Sequence, residues 1–156
     1  MTAAGPVVRR ARPEEADQLA ALAVRSKGHW PYPAAFLDRF ARTLGLSPEV
    51  VAANDVHVLE RDGRIRGFCT VLHRGELAVL DDLWLDVDEI GHGYGRLLFD
   101  HAVSLAAAAG ARVLEWEAEP YAVGFYERMG GATVGRADSP LGRSLPVMRL
   151  AIATPG

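Results

Sequence analysis

The chain has 156 residues, of which 49% are hydrophobic and 24% charged, with a formal net charge of -3. This length suits one compact domain, and the lack of any basic block argues against nucleic acid as the main partner. The N-terminal stretch lacks the apolar segment of a signal peptide, no apolar run is long enough to cross a bilayer, and the single cysteine excludes an internal disulfide. We therefore expect a cytoplasmic protein without a membrane partner.

The first half of the chain predicts one strand, two helices and an antiparallel meander. In chain order the predicted elements are a strand (7–10), a helix (16–26), a proline-rich aromatic loop (27–33), a helix (36–44) and a short connection (44–55). Two β-prone runs then flank Asp62-Gly63, a pair that suits the positive φ angles of a tight hairpin turn. ELAVLDDLWLDV (76–87) follows and predicts the third strand of the meander.

The second half predicts a long helix, which begins near Tyr94 and ends at Gly110. The elements after it are a strand (112–118), a short helix closed by glycines (121–131) and two final strands (132–138 and 145–153). The order βααβββαβαββ predicts an α/β fold, with a mixed, mostly antiparallel sheet and helices on both faces. We expect a single domain over residues 6–152.

The turn EIGHGYGR (89–96) places three glycines between a predicted strand and a predicted helix. A helix N-terminus has free N–H groups and partial positive charge, and glycines let a phosphate approach the backbone. A plain turn without a ligand is the alternative. A P-loop does not fit, because Gly95 is followed by Arg96 and Leu97, and a dinucleotide fingerprint fits poorly because the turn follows a meander.

Two segments resemble the GCN5-related N-acetyltransferase (GNAT) family. LWLDVDEIGHGYGRLLF (83–99) is similar to its acetyl-CoA signature, with Gly93 and Gly95 at the glycine positions, and EAEPYAVGFYERMGG (117–131) is similar to its DPNAxxFYExxG segment. The resemblance covers roughly 6–150, in the family order of elements. It implies acetyl-CoA as cosubstrate and direct transfer of the acetyl group to a primary amine of a small molecule or peptide.

The resemblance also implies which residues hold acetyl-CoA. The pyrophosphate would lie on the backbone of the glycine turn, and the strand LWL would pair with the pantetheine arm and polarise the thioester carbonyl through its N–H groups. The predicted cofactor-binding residues are Leu83, Trp84, Leu85, Ile90, Gly91, His92, Gly93, Tyr94, Gly95, Arg96, Tyr121 and Phe125.

Three positions depart from the family pattern. Ile90 replaces the usual Gln or Arg, Tyr121 replaces a frequent Asn, and Val79 stands where some members carry a catalytic carboxylate. These departures favour a second hypothesis, a non-catalytic acyl-CoA sensor or interaction module. A nucleotide-binding domain is a third and more distant one.

The predicted catalytic residues are Tyr126, Glu117 and Asp81. The family places a tyrosine near the thioester sulfur, and a phenol with a pKa near ~10 can donate a proton to the leaving thiolate. Asp81 or Glu117 would act as the base, directly or through water. Asp81 and Asp82 are expected to point to opposite faces of their strand. The alternatives are a packing role for Tyr126 and solvated strand ends for the carboxylates.

The loop HWPYP is expected to line the acceptor pocket, since the corresponding loop does so in the family. His29, Trp30 and Tyr32 would form an aromatic wall, and Arg143 could meet a carboxylate on the acceptor; a loop stiffened against the core is the alternative. No histidine and cysteine spacing predicts a metal site. A homodimer is the default expectation for the oligomeric state.

Overall fold

The structure is a computed structural model that describes residues 5–153. Its strands are β1 (Val7–Arg10), β2 (Asp55–Arg61), β3 (Arg64–Arg74), β4 (Leu77–Leu85), β5 (Val113–Glu117), β6 (Ala132–Asp138) and β7 (Ser144–Ala151). Its α-helices are α1 (Ala16–Lys27), α2 (Ala34–Thr43), α3 (Pro48–Ala53), α4 (Tyr94–Ala108) and α5 (Val123–Arg128). Short 3-10 turns lie at Pro13–Glu15, Val87–Glu89 and Pro120–Ala122.

The strands form one sheet in the order β1-β2-β3-β4-β5-β7-β6. Every neighbouring pair is antiparallel except β4 and β5, which are parallel. The parallel pair arises because α4 crosses over between the two strands, as parallel neighbours require. The predicted mixed, mostly antiparallel α/β sheet is therefore confirmed.

Helices cover both faces of the sheet, as predicted. On one face α1 and α3 pack against β2 and β3, and on the other α4 and α5 pack against the central strands. Phe68 and Cys69 are adjacent in β3 and are both fully buried. Phe68 packs in the core beneath α1 and α3, and Cys69 packs in the core beneath α4 and α5. This alternation is what a strand with two covered faces requires.

The hairpin at Asp62-Gly63 forms as predicted. Asp62 has φ 54° and Gly63 has φ 74°, so both central residues adopt the left-handed conformation that joins twisted antiparallel strands.

The segment 44–55 was expected to be a connection, but it contains helix α3. The Ser47 side chain accepts a hydrogen bond from the Val50 N–H at 3.2 Å, Pro48 occupies the first turn, and Val51 is buried. A serine cap followed by proline is a recognisable helix start. The prediction was wrong because the helix has only six residues, too few to display a periodic apolar face.

Candidate active site

A cavity of about 1070 Å³ opens where β4 and β5 diverge. The parallel pairing covers only Leu77–Val79 with Val113–Glu115, although β4 continues to Leu85 and β5 to Glu117. Within residues 5–153 no strand pairs with the β5-facing edge of β4 beyond Val79. Unpaired backbone groups at such an edge can bind an extended ligand as an additional strand would.

The glycine turn forms one end of this cavity. Gly91 has φ 91° and Gly93 has φ 83°, conformations that side chains other than glycine rarely adopt. A Cβ atom at either position would meet nothing within 4 Å, so both glycines face open space. No acceptor within the described residues pairs with the backbone N–H groups from Gly91 to Arg96. Free N–H groups at a helix start are the features that bind a phosphate.

Gly95 has a different role in the same turn. A Cβ atom there would lie 3.1 Å from the Phe125 ring, so this glycine allows the first turn of α4 to approach α5. The close contact brings the two motifs of the sequence, which are about thirty residues apart, to one side of the cavity.

Ten of the twelve predicted cofactor-binding residues line the cavity. His92 and Tyr94 are not among the lining residues. The Tyr94 ring packs partly against the apolar core, and the guanidinium of Arg61 lies 5.9 Å from its centroid. Their expected contribution is a backbone N–H group, which does not depend on where the side chain points.

A β-bulge at Asp81 changes the predicted alternation of the two aspartates. Thr70 pairs with Asp82 and Val71 with Leu80, so Asp81 is the extra residue, and both aspartates line the cavity. The expectation of opposite faces was therefore wrong, because a bulge interrupts the two-residue period of a strand.

Asp82, which was not among the predicted catalytic residues, has the more perturbed carboxyl group. Burial raises its pKa to about 6, and the charge of Asp81 adds to the effect. Trp84 Nε1 donates a hydrogen bond of 3.1 Å to Asp82 Oδ1, which fixes the carboxylate. Partial burial raises the pKa of Asp81 as well. Glu117 also lines the cavity and is exposed at the end of β5.

Tyr126 lies on α5, is buried, and lines the same cavity. Its ring packs against Trp116, with centroids 5.0 Å apart. Burial raises the pKa of the phenol, and the charge of Glu119 raises it further. The hydroxyl group therefore stays protonated across the physiological pH range, as a proton donor must.

An ion pair that was not predicted crosses the floor of the cavity. Lys27, the only lysine of the chain, is 5% exposed and donates a hydrogen bond to Glu119. Tyr32 donates to Glu119 at 2.5 Å, and Arg143 donates to the Tyr32 hydroxyl at 2.8 Å. Two features of the sequence could have indicated this pair: the single lysine next to the aromatic loop, and a glutamate within the segment 117–131.

The charges of this cluster perturb one another. Burial lowers the pKa of Lys27, although Glu119 opposes the effect. Burial acts to raise the pKa of Glu119, but hydrogen bonds from Lys27 and Tyr32 lower it overall. Burial and the bond to Glu119 raise the pKa of Tyr32 to about 12. The cluster thus holds a fixed carboxylate between two cations, because Arg143 Nη2 lies 3.7 Å from Glu119.

The predicted aromatic wall is only partly at the cavity surface. Trp30 lines the cavity and stacks on Tyr121, with centroids 5.1 Å apart. His29 and Tyr32 are not among the lining residues. His29 packs edge-on against Trp30, and the Tyr32 ring stacks on Phe36 while its hydroxyl is held by Glu119. His29 and Tyr32 therefore pack behind the aromatic residues at the cavity surface and do not face the cavity themselves.

Two kinds of feature are absent from residues 5–153. No group of three His, Cys, Asp or Glu side chains there is arranged to hold a metal ion. No helix in the same range is both long and apolar enough to cross a membrane.

Comparison with known proteins places this geometry in a family. Residues 17–131 match the model of the acetyltransferase (GNAT) family. The peptidyl-lysine N-acetyltransferase YjaB of Escherichia coli (strain K12) is 34% identical over 151 residues, covering 92% of this chain and 95% of that protein. The solution structure of apo-form YjaB from Escherichia coli has a TM-score of 0.67 at 27% identity, covering 97% of this chain and 100% of that one.

A further solved structure shares the fold at lower identity. The PaiA N-acetyltransferase of Thermoplasma acidophilum, in complex with coenzyme A, has a TM-score of 0.80 at 16% identity and covers 95% of this chain and 99% of that one. Because the family model spans most of the chain and the first relative matches nearly all of it, the chain belongs to the acetyltransferase (GNAT) family and is an N-acetyltransferase that takes its acetyl group from acetyl-CoA.

Proposed function

We propose that this N-acetyltransferase acetylates the side-chain amine of a lysine in a peptide or protein. The observation that carries the proposal is the charge on the two diverging strands, where Asp81, Asp82 and Glu117 line the cavity. Lys27 and Arg143, two of the cations that also line the cavity, are both directed at Glu119. An acidic lining attracts a cationic acceptor. The name of the YjaB relative, a peptidyl-lysine N-acetyltransferase, supports the same acceptor class.

In this proposal acetyl-CoA lies along the open edge of β4. The N–H groups from Gly91 to Arg96 bind the pyrophosphate, which compensates for the absence of a polar side chain at Ile90. Leu83–Leu85 pairs with the pantetheine arm and polarises the thioester carbonyl. Tyr121 and Phe125 contact the arm from the opposite side, where Tyr121 is held by stacking on Trp30.

The reaction needs a neutral amine, a polarised carbonyl and a proton for the leaving thiolate. The amine nitrogen attacks the thioester carbon, a C–N bond forms, and the C–S bond breaks. Tyr126 donates its proton to the thiolate. Asp82 removes a proton from the attacking nitrogen, directly or through water, because a pKa of about 6 is close to the operating pH of a general base. Asp81 and Glu117 attract the ammonium group and remain alternative bases.

A pair of peptides tests the acceptor class. Both have a blocked N-terminus, and they differ only in carrying one lysine or one arginine at the same position. We expect release of free CoA and a mass increase of one acetyl group with the lysine peptide only. Release of CoA with spermidine or free amino acids, but not with the lysine peptide, would contradict the proposed acceptor and leave the acetyltransferase activity intact.

A second experiment tests the acidic lining. We expect Glu117→Gln to raise the KM for the lysine peptide several-fold and to leave the KM for acetyl-CoA unchanged, since the charge faces the acceptor. Glu127→Gln, on α5 but outside the cavity lining, is the matched control. Equal effects of both variants would show that the overall charge, and not this lining, attracts the acceptor.

The cytoplasmic location, the homodimer and the absence of nucleic-acid and membrane partners stay predictions. Light scattering on the purified protein measures the mass of the assembly, and a dimer would have twice the chain mass of 16.8 kDa.

A further inference from the structure

A buried carboxylate, Glu89, is the first residue of the glycine turn. Glu89 is 1% exposed, which is rare for a glutamate unless it is paired. Arg61 forms a two-point contact with it, from Nη2 to Oε1 at 2.6 Å and from Nε to Oε2 at 3.3 Å. Arg66 Nε lies 3.7 Å from Oε1. The family resemblance assigns no role to this position.

The same arginine contacts both ends of the turn. Arg61 holds Glu89 at the start of the turn, and its guanidinium lies 5.9 Å from the ring centroid of Tyr94, which follows Gly93 and begins α4. Arg61 ends β2 and Arg66 lies near the start of β3, on the two strands joined by the Asp62-Gly63 turn. The hairpin therefore clamps the loop at its entry and its exit.

The turn between these two points has little support of its own. Gly91 and Gly93 both have positive φ, and no acceptor in the described part of the chain pairs with the N–H groups from Gly91 to Arg96. Two glycines have many accessible conformations, of which only some direct the N–H groups at one phosphate. Holding the ends of the loop restricts those conformations before the ligand arrives, which lowers the ordering cost of binding.

We propose that Glu89, together with Arg61, is a positioning residue for acetyl-CoA, and that this clamp orders the turn that binds the pyrophosphate. The inference rests on the proposed role of the turn. Glu89 does not touch the acceptor or the reacting atoms, so the clamp acts on cosubstrate affinity and not on the chemical step. It also explains how a turn that lacks the family's polar side chain at Ile90 can bind pyrophosphate through its backbone.

The test is whether Glu89→Ala changes the constants for acetyl-CoA binding without changing kcat or the KM for the peptide. We expect KM and Kd for acetyl-CoA to rise about tenfold, equivalent to about 1.4 kcal/mol. We expect kcat at saturating acetyl-CoA and KM for the lysine peptide to stay within about twofold of the parent values, because neither depends on the turn. Glu89→Gln, which keeps an oxygen that accepts from Arg61, should recover part of the loss.

A control variant, Glu76→Ala, and a second clamp variant, Arg61→Met, accompany Glu89→Ala. Glu76→Ala removes an exposed ion pair with Arg112 just before β4, at the opposite end of that strand from the turn, and should change neither constant. Arg61→Met tests the same clamp from its half-buried partner if Glu89→Ala folds poorly, and all assays run at a temperature where circular dichroism shows folded protein. An unchanged Kd for acetyl-CoA in folded Glu89→Ala and Arg61→Met would overturn the inference.

One further variant separates the role of the clamp from the proposed role of the turn in binding the pyrophosphate. Gly93→Trp places a bulky side chain where the pyrophosphate would lie. If Gly93→Trp loses acetyl-CoA binding and the clamp variants do not, the clamp fails while the role of the turn stands. If Gly93→Trp binds acetyl-CoA normally, both fail together.

Discussion

Replacement of Asp82 by Asn should decrease activity and increase stability at the same time. The substitution removes the carboxylate that we propose as the base and keeps an oxygen that can accept from Trp84 Nε1. General base catalysis contributes about 10²–10⁴-fold, so kcat should fall by about that factor. In the parent protein the rate should also fall as the pH drops below about 6, when Asp82 becomes protonated.

The gain in stability follows from the direction of the pKa change. The pKa of Asp82 is raised from 3.8 to about 6 on folding. The folded state therefore binds more protons than the unfolded state between these values, and stability falls as the pH rises through this window. The cost is fully present above pH 6 and absent below about pH 4. It is at most about 3 kcal/mol, and partial contact with water reduces it to about 1–2 kcal/mol.

Urea unfolding at pH 8 and at pH 4.5 measures this cost. Asp82→Asn should be about 1–2 kcal/mol more stable than the parent at pH 8, and the difference should shrink at pH 4.5. Asp100→Asn, at an exposed position on α4, is the matched control and should change neither stability nor rate. The reasoning is refuted if the gain is the same at both pH values, or if the variant retains the acid limb of the rate profile.

Three further predictions concern other parts of the cavity. Tyr126→Phe should lower kcat by about 10²-fold or more with little change in acetyl-CoA affinity, measured by steady-state kinetics and calorimetry; an unchanged kcat would leave Tyr126 a packing residue. Gly93→Trp should abolish acetyl-CoA binding in a calorimetric titration without loss of the folded circular dichroism spectrum, whereas retained micromolar binding would place the pyrophosphate elsewhere. Glu119→Gln should destabilise the protein by about 3–5 kcal/mol in urea, because Lys27 stays buried without its carboxylate, and Lys27→Met in the same chain should restore much of the loss; additive losses would argue against the pair.

Local signals in the sequence predicted much of the fold. Asp62-Gly63 specified a hairpin because few residue pairs tolerate two positive φ angles. The glycine turn was placed correctly between β4 and α4, because its spacing matches a family pattern and its glycines precede an apolar helix. The short helix α3 was missed although Ser47 and Pro48 mark its start.

The perturbed groups of the cavity could not be predicted in the same way. The bulge at Asp81 depends on pairing with β3, and a strand sequence does not show where its partner skips a residue. The ion pair of Lys27 and Glu119 joins residues 92 positions apart. Its burial results from packing between α1, the loop after β5 and the aromatic rings around the ammonium group, so no local pattern encodes it.

The charges that line the cavity lie on different elements, and the proposed function gives each group its own ligand. Arg96 on the first turn of α4 and Arg128 at the end of α5 both line the cavity. The two helices approach each other where Gly95 meets the Phe125 ring. The carboxylates of Asp81 and Asp82 lie instead on the bulge of β4. A cationic region suits the phosphates of acetyl-CoA, and an acidic region suits an ammonium group.

This division has a structural cause in the interrupted β4–β5 pairing. Had the strands remained paired beyond Val79, the bulge would lie within a closed sheet and Asp82 would have no access to a cavity. In the proposed function, the opening of the sheet supplies both the free edge for the cosubstrate and the buried carboxylate for the acceptor. Closing it, for example with a disulfide between β4 and β5, should remove acetyl-CoA binding in a calorimetric titration, and reduction of the disulfide should restore it.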